Sequence, residues 1–143
     1  MLEERYGAAN EADILYRAAL RARNTKQDAQ CLCNRAIYYD EDKGDNDNAR
    51  LFYEAAIKAA PEQGNILGDY AYFLHLQKDN AKSILTFDKA VRYAPHNAHV
   101  LCSYAAVLNS NGENIKAKNM YNRARMADSN EQCVRDLAGA FRL

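Results

Sequence analysis

Apolar residues return every three to four positions along most of the chain. Leu15, Ala18 and Ala19 set this spacing first, and it recurs in Phe52, Ala56 and Ala59, in Ile84, Phe87, Ala90 and Val91, and in Met120, Ala124 and Ala127. Such spacing gathers the residues into one stripe of an α-helix, whereas a half-buried strand would alternate at every second residue. Polar stretches bearing Gly or Pro separate the stripes and read as turns. The pattern predicts helices over about residues 9–23, 29–41, 46–59, 64–77, 80–93, 98–111, 114–127 and 131–142. In the last of them Val134, Leu137, Ala138 and Phe141 share an apolar face opposite Arg135, Asp136 and Arg142, as expected of a helix that caps an array.

The stripes belong to a longer period. A shift of 34 residues lays Leu67, Tyr70, Ala71 and Leu74 on Leu101, Tyr104, Ala105 and Leu108, then Ser83, Phe87 and Ala90 on Ala117, Tyr121 and Ala124, and Pro95 on Ser129. Ala49, Tyr53, Ala56 and Pro61 precede Ser83, Phe87, Ala90 and Pro95 by the same interval. Leu32, Ala36 and Tyr39 precede Leu67, Ala71 and Leu74 by 35, so the turn over 40–45 holds one extra residue. A fragment at Ala12, Tyr16 and Ala19, with Gly7 before it, lies 37 residues ahead of its next copy. The surplus fits the polar stretch 23–28, read as a lengthened loop between repeats. Met1 to Tyr6 supply only the last turn of a first helix. The expected organisation of residues 1–143 is thus a single domain: a truncated first repeat over 1–23, repeats over 29–61, 64–95 and 98–129, and a capping helix over 131–143.

With its small residue in mid-helix, an Ala, an aromatic four positions later, another Ala and a closing Pro, the 34-residue unit resembles the tetratricopeptide repeat family. The resemblance covers nearly the whole chain. It departs in having Leu32, Leu67 and Leu101 where the family usually places Trp, and Ser83 and Ser129 where Ala and Pro are typical. The resemblance implies an all-α fold, a right-handed solenoid of antiparallel helical hairpins. The physics agrees. Ala36, Ala71 and Ala105 permit close helix approach, and Tyr53, Phe87 and Tyr121 supply rings to fill the wedge between successive hairpins. No hairpin buries its stripe alone, so several must stack.

In such arrays the first helix of each repeat lines an inner groove. By that resemblance the groove positions are Asn34, Ile37 and Glu41, then Asn65, Asp69, Tyr72 and His75, then His99, Ser103, Ala106 and Asn109. The set contains no Lys or Arg, so it cannot build the carboxylate clamp with which some members grip acidic tails. An amide-rich, mildly acidic groove with Tyr72 as its one large anchor suits a neutral or basic peptide or helix. The expected function is a protein-binding scaffold or adaptor. The alternative is a structural subunit or homo-oligomer that docks through Ile14, Leu15 and Ala18, which a truncated first repeat leaves partly uncovered.

Composition narrows the field further. Nineteen basic and 19 acidic side chains cancel, which removes the cationic field that nucleic-acid and anionic-membrane binders use. The cations Lys116, Lys118, Arg123 and Arg125 sit on a second helix, on the outer layer, where solvation explains them. No apolar run of spanning length exists, and no secretory leader is read. A soluble, intracellular and cytoplasmic protein is expected. Cys31, Cys33, Cys102 and Cys133 are accordingly expected as reduced, unligated thiols. Cys31 and Cys33, two apart on a helix, point to different faces and cannot form a zinc knuckle. The acidic stretch Asp40, Glu41, Asp42, Asp45 and Asp47 lacks the closing Glu of a calcium loop. His75, His96 and His99 do not converge with a nucleophile or an acid-base partner, so no catalysis, metal or cofactor is expected.

Overall fold

From the second helix onward the residues that open the helices recur at the repeat interval. A computed structural model describes residues 26–141, which form seven helices in succession: α1 (Lys26–Glu41), α2 (Asn46–Ala59), α3 (Gly64–Leu76), α4 (Asn80–Tyr93), α5 (Ala98–Ser110), α6 (Asn114–Ala127) and α7 (Gln132–Leu137). No strand occurs among the described residues. The helix expected over 9–23, the truncated first repeat and the Ile14, Leu15 and Ala18 stripe lie outside them.

Asp45, Asp79 and Glu113, each 34 residues after the last, are the N-caps of the second helices α2, α4 and α6. Asp45 Oδ1 accepts the Asn48 N–H at 3.1 Å and Asp79 Oδ1 accepts that of Lys82 at 3.4 Å, satisfying donors that the first turn leaves free. Gln63, Asn97 and Glu131 hold the N-cap positions of α3, α5 and α7, again at 34-residue spacing, and the Asn97 and Glu131 side chains accept first-turn N–H groups there. Immediately before each second-helix cap the backbone turns left-handed, at Gly44 (φ 62), Lys78 (φ 65) and Gly112 (φ 84). Lys78 bears a Cβ in a conformation that favours glycine. Lys78→Gly is therefore expected to raise stability by about 0.5–1 kcal/mol after the larger chain entropy of unfolded Gly is counted, read as a higher urea midpoint. A lower midpoint would show that this side chain contributes something the strain does not outweigh.

The chain divides into two compact units, Met1–Pro61 and Glu62–Leu143. In the first, α1 and α2 form a hairpin in which the Tyr39 and Phe52 rings stack at 5.4 Å. In the second, α3 pairs with α4 and α5 with α6, while α3 also packs on α5 and α5 on α7. The α3–α4 approach is close enough that a Cβ on Gly64 would meet Ala94 Cβ and come within 2.8 Å of the Ala90 carbonyl oxygen. Midway along the pair, buried Ser83 donates its hydroxyl to the Ala71 carbonyl at 2.7 Å. Phe87, fully buried on α4, stacks at 4.9 Å on Tyr104 of the next hairpin. Tyr104 hydrogen-bonds Asp88 Oδ1 at 2.6 Å, and Lys116 lies 3.8 Å from the same carboxylate oxygen. Burial first, and the hydrogen bond to Asp88 second, push the Tyr104 phenol well above its ordinary value and keep it protonated.

Three expectations are corrected. Lys26, Gln27 and Asp28, read as loop, already belong to α1; Lys and Gln are good helix formers, and an acidic residue in the first turn complements the helix dipole. The last helix is six residues long and does not run to 142. Gly139 disfavours continuation, and the chain turns there so that Phe141 returns to stack on Tyr121 at 4.8 Å. Val134 is buried as expected, and Arg135 and Asp136 are exposed. Finally, Cys102 and Cys133 are joined in a disulfide, with Cα atoms 6.0 Å apart, while Cys31 and Cys33 remain thiols. Thirty-one residues is one repeat less about one helical turn. Cys102 on α5 and Cys133 on α7 therefore stand on neighbouring helices of like rank, a proximity that the linear spacing alone does not show.

Candidate protein-binding surface

A groove-lining residue must lie on a first helix yet avoid the core. In the first unit Asn34 and Glu41 are exposed and Ile37 is half-buried on α1, whose opposite face buries Leu32, Ala36 and Tyr39. Asn34 Oδ1 accepts a hydrogen bond from Gln30 Nε2 at 3.0 Å, one turn back on the same helix.

In the second unit α3 carries Asn65, Asp69, Tyr72 and His75 beside α5, which carries His99, Ser103, Ala106 and Asn109. None of these eight is buried, while Leu67, Tyr70, Ala71 and Leu74 on α3 and Leu101, Tyr104, Ala105 and Leu108 on α5 all are. Tyr72 is 43% exposed and its ring lies 6.1 Å from that of His75. His75 Nδ1 in turn lies 3.3 Å from Asn80 Oδ1. Tyr72 thus offers a large amphipathic face at little cost in side-chain freedom.

Asp69 and His99 come together from different helices, with His99 Nε2 4.0 Å from Asp69 Oδ1. The structure adds a third member that the sequence reading missed: Glu131 Oε1 lies 3.2 Å from His99 Nδ1. Its other oxygen caps α7, accepting the N–H groups of Cys133 at 2.7 Å and Val134 at 3.3 Å. The signal was present, since Glu131 stands 34 residues after Asn97 and inherits its capping position, but Glu131 lies outside the first helix and was not counted as groove. The row Asp69, His99, Glu131 makes this surface more acidic than the first-helix residues alone suggest. The cations lie elsewhere: a separate cleft of about 590 Å³ is lined by Lys118 and Arg125 of α6 and Arg135 of α7, over Tyr121 and Phe141.

Residues 29–63 match the family model described as a tetratricopeptide repeat. That segment contains most of α1 and all of α2, so a helix-turn-helix repeat stands where both the spacing and the structure place one. No curated protein matches the chain. Repeats of this family mediate protein–protein interaction. Among the described residues no helix is long and apolar enough to cross a membrane.

Proposed function

We propose that this tetratricopeptide repeat protein is a scaffold or adaptor that holds a neutral or basic peptide or helix along its first-helix surface and performs no chemistry of its own. The carrying observation is the conjunction of an exposed Tyr72 with the acidic row Asp69, His99, Glu131 on a face whose assigned positions include no Lys or Arg. An aromatic anchor supplies contact area, and the carboxylates supply complementarity to a cationic or hydrogen-bonding ligand. Within the second unit Asn65, His75, Ser103 and Asn109 add amide, imidazole and hydroxyl contacts at positions left open by the core, and within the first unit Asn34 and Ile37 offer an amide and an apolar contact of their own. Nucleic acid is a poor fit to such a face, which would repel phosphates. A single domain of stacked repeats in the cytoplasm belongs to the same proposal.

Selection from a random peptide library tests it. The recovered peptides should be neutral or basic, their affinity should weaken modestly with salt, and peptides with acidic tails should be lost. Tyr72→Ala should reduce affinity for a recovered basic peptide by about 1–2 kcal/mol with little change in melting, and Asp69→Lys should reduce it further. Recovery of acidic peptides, or full affinity in both variants, would place binding on another surface.

A further inference from the structure

We propose that the Cys102–Cys133 corner, once its disulfide is reduced, is a zinc site in which both thiolates, the Glu131 carboxylate and the His99 imidazole are the ligands. Cys102 and His99 are three residues apart on α5 and so project from one face, as two ligands from a single helix must. Glu131 and Cys133 enter together from the start of α7. One donor atom from each of Cys102, Glu131 and Cys133 lies within 4.8 Å of the other two. Tetrahedral zinc with bonds of about 2.0–2.3 Å needs donor atoms about 3.3–3.8 Å apart, and two sulfurs released from a disulfide settle near the upper value. Small side-chain movements therefore bring these three donors to zinc-ligand spacing, and His99 joins them from beside Glu131.

The fourth ligand is already oriented. His99 turns Nδ1 toward Glu131 at 3.2 Å and Nε2 toward Asp69 at 4.0 Å. A ligating imidazole characteristically donates its remote N–H to a carboxylate, which fixes the tautomer that leaves the other nitrogen free for metal. Asp69 is placed for that role. Glu131 is steadied by its Oε2 cap on α7 and presents Oε1 to the same space. The donor set of two soft thiolates, one imidazole and one carboxylate favours zinc over calcium or magnesium.

A dithiol reductant gives two electrons and two protons to the S–S bond, becoming a disulfide itself and leaving Cys102 and Cys133 as thiols. Zinc then displaces both thiol protons as two Zn–S bonds form. Hydrogen peroxide reverses the state: with two protons it takes two electrons from the thiolates, yielding two waters, the disulfide and free zinc. In a reducing compartment the metal takes over the crosslink between α5 and α7, and it occupies His99 and engages Asp69 on the surface proposed for the partner.

The test is zinc titration of the full chain, reduced under anaerobic conditions, against a chromophoric chelator of micromolar affinity. The wild type should retain one zinc per chain, and cobalt in its place should give a thiolate charge-transfer band. Peroxide should release the metal and abolish the band. Cys31→Ser with Cys33→Ser should retain zinc, Cys133→Ser should lose it, and Asp69→Asn should weaken it about 10- to 100-fold. Failure of the reduced wild type to hold zinc against the chelator would overturn the proposal, as would retention by Cys133→Ser or loss in the Cys31 and Cys33 double variant.

Discussion

Phe87→Ala should lower stability by about 3–5 kcal/mol, the largest single loss expected outside multiple changes. Phe87 is wholly inaccessible and packs with Ala71, Tyr104, Val107, Leu108 and Ala117. It reaches from α4 to α5, so it ties one hairpin to the next within the second unit. Removing the ring forfeits its transfer energy and its stacking on Tyr104. It also leaves a cavity that the neighbouring alanines, Ala71 and Ala117, are too short to fill. Leu85, two residues earlier on the same helix, is 65% exposed, and Leu85→Ala should change stability by no more than about 0.5 kcal/mol. Urea denaturation of both variants checks the pair. Similar midpoints for the two would mean that the register of α4 is wrong.

Ala71→Leu and Ala105→Leu should each cost about 1–3 kcal/mol through overpacking. Both alanines are fully buried in mid-helix, on α3 and α5, and Ala71 lies where its own carbonyl receives the Ser83 hydroxyl at 2.7 Å. Three added carbons at that contact must push α3 from α4 and stretch the hydrogen bond, or force the leucine off its preferred rotamers. Ala106, the next residue after Ala105, is only half-buried, and Ala106→Leu should be tolerated. Near-wild-type melting of the two buried variants would contradict the close packing of these hairpins.

The fold was legible because every level of the sequence carries the same period. The 34-residue shift that aligns Phe87 with Tyr121 also aligns the caps Asp45, Asp79 and Glu113 and the left-handed turn positions 44, 78 and 112, so apolar stripe, cap and turn agree. What escaped was information that depends on three-dimensional neighbours or on a local break in the pattern. Cys102 and Cys133 are 31 residues apart, and only the stacking of α7 on α5 brings them within bonding reach. Glu131 looks like a solvent-facing residue of a turn until α7 is placed, when capping that helix fixes it beside His99. The end of α7 was misjudged because the apolar face of Val134, Leu137, Ala138 and Phe141 fits a helix, whereas Gly139 interrupts it and Phe141 reaches the core through a turn. In the candidate surface the first-helix residues were open to inspection in the sequence through the resemblance, but the His99 bridge between two carboxylates was not.

Amide and side-chain NMR shifts of the full chain, titrated with a library-selected basic peptide, show whether the first-helix face receives a basic or neutral partner segment. The largest perturbations should fall on Asp69, Tyr72, His75, His99, Ser103 and Asn109, with Glu131 among them. The exposed Ile115 and Met126 of α6, at 83% and 85%, should stay unchanged. Perturbations centred on α6, with Tyr72 and His99 unmoved, would contradict binding on the first-helix face.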